Sequence, residues 1–327
     1  MAPKKQQPPG SRPGASHASR GILELDRFSE ASLRQWNTLS EDLDELERTL
    51  HFALEPERRR LRPELLAALE GCSSKLPTLE DWVRVVSYPY SLNPLSSAGS
   101  LRAYGGRFNA GIDLEPGTLD LWPALYLAEN FETAFREKFQ MPSDVLTEGL
   151  RPEELALRPQ GSHVTVIVKV CLTRVFDMTS ATVLDPLARV LKRVKMPNRA
   201  SQLKKKLQIP NQALMMVQTG KELHDVMFKR NWRVLPVQFN LPAQSQTVAE
   251  LIRAAGFEGI LYQSTMGPGK CLAVFPDRLT ESSFISLADQ PPHTETIQRL
   301  DYLTADQLAG WEKLPFMGRM SKRGFDL

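Results

Sequence analysis

The sequence predicts an α+β protein, and three observations carry that expectation. Short β-branched or aromatic runs mix with helical stretches without a regular βαβ alternation. No segment repeats at a fixed period. Between a polar tail and about residue 70 the pattern is helical only. At 327 residues the chain can bury a large core. Its net charge of +3 is small for that length, so the whole-chain field gives no argument for nucleic acid.

Residues 1–20, MAPKKQQPPGSRPGASHASR, predict a disordered tail, because they hold too little apolar surface to offset the entropy of ordering. No apolar stretch follows their basic residues, so they do not form a secretory signal. Residues 21–75 predict an N-terminal helical extension. There Leu33, Trp36, Leu39, Leu43, Leu46 and Leu50 recur at three- and four-residue steps. Pro56 and Pro63 interrupt the pattern, Ser40-Glu41-Asp42 suits a helix start and Gly71 a stop, so two or three helices are expected. Their apolar stripe should face the chain's own sheet; the alternative is a partner or a second copy of the chain.

From Trp82 the texture changes. WVRVVSYPY, HVTVIVKVCL, WRVLPVQF, GILYQS and CLAVFPD predict strands, while NFETAFREKFQ, LDPLARVLKRVK and TVAELIRAAG predict helices, the last stopped by Gly256. Within the mixed region, residues 186–232 carry the basic run ARVLKRVKMPNRASQLKKKLQIP, expected to be a solvated helical face with a turn at Pro197. The sharper alternative is a patch for an acidic partner or a nucleic-acid backbone, but the run has no interleaved aromatics for base recognition. Cys72, Cys171 and Cys271 lie far apart with no histidine at ligand spacing, so neither disulfides nor a metal site is expected and a reducing cytoplasm is the default. No apolar run approaches the roughly 20 residues needed to cross a bilayer.

Three stretches carry chemistry. In RAYGGRFNAG, Gly105 and Gly106 let the main chain approach a ligand, and Arg107 brings a planar fork of donors suited to phosphate or carboxylate. A tight polar turn would have the same composition. In PALYLAENFETAFREKF, a short strand leads to Asn130 as N-cap and a helix whose apolar face holds Phe131, Ala134, Phe135 and Phe139. Glu137 and Glu132 lie on opposite flanks of that face, either solvated or paired, or else facing a cleft. In FEGILYQSTMGPGKCLAVF, two apolar runs flank a glycine-rich link, a hairpin with Ser264 closing its first strand. No GxSxG elbow or nearby histidine surrounds Ser264, so it is expected to hydrogen-bond and not to act as a nucleophile.

Together with WVRVVSY and RVFDMT, these stretches resemble the RES-domain family, named for its Arg, Glu and Ser. The matching positions are Arg84, Arg107, Tyr126, Glu137 and Ser264, with Asp177 in the FDMT run, spread in order over about residues 80 to 280. Phe108 stands where the family usually has tryptophan, and IDLEPGTLDLWP and the basic run are insertions. The resemblance implies a RES domain over residues 76–287, an ADP-ribosyltransferase-like core of mixed sheet with flanking helices, and a C-terminal extension at 288–327. It also implies a toxin that degrades NAD+ or transfers its ADP-ribose, with NAD+ as substrate and no cofactor or metal, restrained by an Xre-type helix-turn-helix antitoxin. Under that reading Glu137, Arg107 and Ser264 are the catalytic set. NAD+ would be held by Arg84, Arg107, Tyr126, Gly105, Gly106, Asn109 and Ser264.

The residues suit such chemistry. Breaking the nicotinamide–ribose bond passes through an oxocarbenium-like state that needs a nearby anion, and the diphosphate needs fixed cations. The leaving group is already cationic, so its expulsion requires no general acid. Two other classes are a catalytically silent RES-like scaffold that binds a nucleotide or partner, and a nucleic-acid-binding protein using the basic run. The intact Arg107, Glu137 and Ser264 speak against the first.

Overall fold

A computed structural model describes residues 30–74, 78–143, 150, 163–211 and 213–310; the tail expected at 1–20 lies outside them. Helix α1 (Glu30–Glu70) leads into a sheet formed by β1 (Ser73–Ser74), β2 (Leu79–Ser87), β3 (Leu125–Ala128), β4 (His163–Cys171), β5 (Val175–Asp177), β6 (Gly259–Gln263), β7 (Lys270–Val274), β8 (Phe284–Leu287) and β9 (Arg299–Leu300). The spatial order is β1-β5-β6-β7-β3-β2-β4-β8-β9. Strands β5 and β6 are parallel, and the seven other pairings are antiparallel. A parallel pair requires a crossover. Here it comprises α3 (Asp185–Leu191), α4 (Asn198–Lys206), α5 (Gly220–Met227), α6 (Val234–Phe239) and α7 (Gln244–Ala254), so the basic segment lies within the crossover. Helix α2 (Phe131–Phe139) follows β3. The sheet is mixed and helix-flanked, as the α+β expectation requires.

Alternation along the strands feeds two cores. Ile260, Tyr262 and Ala273 face one, shared with Leu61, Leu65 and Leu69 of α1. Leu261, Leu272 and Val274 face the other, with Leu95, Leu300 and Leu308. The last of these sits on α8 (Ala305–Ala309), so packing continues past residue 287 into the expected C-terminal extension.

Three expectations change. Helix α1 is a single helix of 41 residues that starts before Ser40 and runs through Pro56 and Pro63. An interior proline costs about 3 kcal/mol. Burial offsets this: Leu61, Leu65 and Leu69 are each at most 1% exposed, and the Arg58 guanidinium donates to the His51 carbonyl in the turn before Pro56. Second, the apolar stripe does not reach the sheet through its N-terminal half. Leu46 is buried against Ala200 and Leu203 of α4, with Leu50 beside it, whereas Leu39 and Leu43 are exposed. Acidic side chains of α1 pair with the basic segment, Glu45 with Arg199 at 2.6 Å, Asp42 with Lys206 at 2.7 Å and Glu64 with Arg193 at 2.7 Å. Part of the basic face is therefore paired within the chain, although those basic side chains stay exposed. Third, WRVLPVQF folds as α6 and not as a strand. Pro236 stands third in that helix, within the first turn, where its missing N–H has no intrahelical partner to lose. No helix among the described residues is long and apolar enough to cross a membrane.

Candidate active site

Asn130 caps α2, its side chain accepting the Thr133 N–H at 2.9 Å. The helix buries Ala134 and Phe135 and leaves Glu132 and Glu137 on separate flanks. Glu132 binds Arg136, which is 1% exposed, at 2.8 Å. It neutralises a buried cation and lies apart from the cavity. Glu137 meets the β6–β7 hairpin instead. The Ser264 hydroxyl donates to Glu137 Oε1 at 2.6 Å, and the Thr265 N–H approaches the same oxygen at 3.3 Å. Ser264 in turn accepts the N–H groups of Met266 at 3.0 Å and Gly267 at 2.8 Å. The hairpin can come this close because position 267 has no side chain: a Cβ there would lie 2.7 Å from Thr133 Cα. Among the described residues no hydrogen bond reaches Glu137 Oε2.

The GGRFN loop closes on itself. Gly105 has φ +83°, and a Cβ on Gly106 would lie 2.4 Å from the Tyr126 hydroxyl. That hydroxyl accepts the Phe108 N–H at 3.0 Å and donates to Asn109 Oδ1 at 2.9 Å, which also accepts the Gly106 N–H at 2.9 Å. The amide of Asn109 donates to the Ser100 carbonyl at 2.7 Å, and the residue is fully buried. Gln246 of α7 donates to the carbonyls of Tyr104, Gly106 and Asn109. Asn109 braces the loop from within, fully buried and outside the cavity lining, and the Tyr126 hydroxyl is engaged by the loop while the residue lines the cavity. Burial pushes the Tyr126 phenol well up.

Arg107 lines the cavity but is largely engaged by the protein. It is 7% exposed, its Nη1 donating to the carbonyls of Met227 at 2.9 Å and Lys229 at 3.0 Å, and its Nη2 to Thr265 Oγ1 at 3.3 Å. Most of the fork expected to grip an anion is thus held by protein. Burial lowers its pKa, opposed by the neighbouring Tyr262, Glu137 and Tyr126. One guanidinium ties together the GGRFN loop, the end of the basic segment and the Ser264 hairpin. Arg84 donates from Nη2 to the Ser96 carbonyl at 2.6 Å, and desolvation lowers its pKa to about 10. The Asp177 carboxylate accepts the Thr179 N–H and hydroxyl, closing the turn after β5, and is not part of the cavity wall.

These elements enclose a cavity of about 560 Å³. Arg84, Arg102, Arg107, Lys138 and Arg233 line it, and among the described residues Glu137 is the one acidic residue in the lining. Gly105, Gly106 and Tyr126 line it too, whereas Ser264 and Asn109 are not part of its lining. Ser264 holds Glu137 from the hairpin through its 2.6 Å hydrogen bond. Sequence reasoning missed Arg102, Lys138, Arg233 and Trp232. Arg102 and Lys138 adjoin the quoted stretches and could have been found there. Arg233 follows a run read as a charged surface, and no local signal marks it. Among the described residues no cluster of three His, Cys, Asp or Glu side chains suits a metal ion.

A mixed sheet carrying a helix-borne glutamate, a hairpin serine and an arginine-lined cleft defines the class of this protein. Residues 81–294 match the RES domain. The match spans well over half of the chain, which belongs to the RES-domain family. Among solved structures, it is similar to a chain in the crystal structure of the M. tuberculosis MbcT–MbcA toxin–antitoxin complex, with 14% identity over 75% of this chain and 97% of that one and a TM-score of 0.38. No curated protein matches the sequence.

Proposed function

We propose that this protein cleaves the nicotinamide–ribose bond of NAD+, as a toxin of the RES family held in check by a helix-turn-helix antitoxin. The observation that carries the reading is one carboxylate, anchored by Ser264 and Thr265 through a single oxygen, on a cavity wall whose other charged residues, among those described, are cations. NAD+ has matching polarity: a diphosphate anion at its centre and a cationic nicotinamide at one end. A cationic wall favours the diphosphate. Glu137 is then the local anion for the charge that builds on the ribose as the bond from C1′ to the ring nitrogen breaks. The electron pair leaves with nicotinamide, which departs neutral. The Tyr126 ring supplies an apolar surface beside the site. Hydrogen bonds from Ser264 and Thr265 to Oε1 fix the carboxylate, so little reorganisation is needed as charge develops.

The basic segment does not favour a nucleic-acid reading, because Arg193, Arg199 and Lys206 already pair with α1. The test is release of nicotinamide from NAD+ by purified protein stripped of any partner, with products analysed for ADP-ribose, its phosphorylated form or modified protein. Folded protein that yields none of these contradicts the proposal.

A further inference from the structure

We propose that Arg233, at the exit of the basic segment, is the arginine that recognises the diphosphate, and that Arg107 is a positioning residue that holds this segment against the site. The inference rests on the NAD+ reading and names the part of that site that binds the anion.

The family arginine is the obvious anion ligand, yet its donors already serve the carbonyls of Met227 and Lys229 and the hydroxyl of Thr265. To bind a phosphate through Nη1 it would have to abandon one buried and one part-buried carbonyl, which is unfavourable unless they find new partners. Arg84 makes a single such bond, from Nη2 to the Ser96 carbonyl, and its Nε is buried without a hydrogen-bond partner among the described residues. Arg233 is exposed and has no such tie. It lines the cavity, and among the described residues no group accepts a hydrogen bond from it. Its guanidinium lies over the Trp232 ring, 4.9 Å from the centroid, while Arg107 lies 5.7 Å from the same ring. Trp232 is 7% exposed, so an anchored ring supports Arg233 through a cation–π contact that leaves its N–H donors available. Desolvation lowers the Arg233 pKa, and the nearby Tyr126 and Glu137 act against it. Lys138 also lines the cavity, but as a point charge beside Arg84 and without a fork to match two phosphate oxygens.

The connectivity gives the arrangement its purpose. Arg107 bonds to the carbonyls of residues 227 and 229, a few positions before Arg233. It thereby sets where the Trp232–Arg233 pair enters the cleft. A segment outside the common motifs thus completes the site, and the motif arginine holds it in place.

The test uses the full chain, wild type and Arg233→Gln, with ADP-ribose as the binding probe by calorimetry. Substrates are NAD+, which has a diphosphate, and nicotinamide riboside, which has no phosphate. Arg233→Gln is expected to weaken ADP-ribose binding about tenfold or more, the scale of a lost charge-assisted hydrogen bond. The loss with NAD+ should fall on KM and not on kcat, and relative turnover of the riboside should be the same for both proteins. Arg233→Lys should recover part of the affinity. Equal affinity of wild type and Arg233→Gln for ADP-ribose overturns the inference, as does equal loss on the riboside or no ADP-ribose binding by the wild type. Binding that depends on Arg233 without any NAD+ turnover supports the inference and contradicts the proposed reaction.

Discussion

Glu258, just ahead of β6, and Glu137, near the end of α2, are two glutamates packed into one sheet-and-helix frame with opposite surroundings. Glu258 is completely buried. Its Oε2 accepts the N–H groups of Thr173 and Arg174, and its Oε1 accepts the Thr280 N–H and the hydroxyls of Thr173, Thr280 and Ser283. Both oxygens are saturated, and the carboxylate pins the turn before β5 to the segment before β8. Glu137 is half-buried, receives two donors on one oxygen, has no hydrogen bond on the other among the described residues, and lines a cavity with five cationic side chains. A buried carboxylate with every lone pair engaged stabilises the fold. One with an idle oxygen beside a cavity is available to a substrate.

A parallel contrast separates the two halves of α1, and removing the helix should have the largest effect of all. Leu61, Leu65 and Leu69 belong to the main core, so a chain lacking residues 1–70 should be insoluble or lose its cooperative unfolding transition. A truncated protein that stays folded and active would make α1 an accessory module. Next comes Ser264→Ala, which removes the anchor of Glu137 Oε1. A hydrogen bond to a charged group is worth roughly 1.5–3 kcal/mol, so kcat for NAD+ should fall about 10- to 100-fold with little change in KM. An unchanged kcat would show that Glu137 needs no such anchor.

The pH response sharpens the contrast further. Hydrogen bonds from Ser283, Arg174, Thr173 and Thr280 hold Glu258 below its ordinary value of 4.5 against the opposing effect of burial. A depressed folded-state pKa contributes stability that is fully present above the unfolded value and is lost as pH falls through the folded one. The wild-type Tm should therefore drop as pH falls below about 4.5, and Glu258→Gln should lack that component. A parallel acid response in both proteins would remove Glu258 from the account. The smallest effect belongs to the surface pairs. Arg199→Ala breaks an exposed contact with Glu45 and should move Tm by less than about 2 °C. A larger shift would mean that the α1–basic segment contact governs folding.

How much of this was legible in the sequence depends on the range of each interaction. The N-cap at Asn130, the YLA strand, the Gly256 stop and the β6–β7 hairpin follow from residues a few positions apart, and all were readable. Glu137 and Ser264 could be named from the motifs, but their contact spans 127 positions and depends on the β3–β7 register, which no local pattern states. Arg107 read as an anion ligand because its type suits phosphate; its engagement with residues 227 and 229 is a matter of tertiary structure. The prolines of α1 misled for the same reason, since the burial that offsets them comes from the rest of the chain. Arg233 lies within WRVLPVQF, which reads as a strand, and its place on the cavity wall depends on tertiary structure.

The contrast between the two glutamates is tested most directly by preparing Glu137→Gln and Glu258→Gln side by side, measuring thermal unfolding and nicotinamide release from NAD+ for each. Glu137→Gln should unfold at the wild-type temperature while turnover falls by a factor of about 10²–10³ or more. Glu258→Gln leaves buried donors without acceptors, so it should lose about 3 kcal/mol or more and several degrees of Tm, yet retain turnover at a temperature where it is folded. The opposite pattern, an active Glu137→Gln or a folded but inactive Glu258→Gln with undiminished stability, would contradict the account.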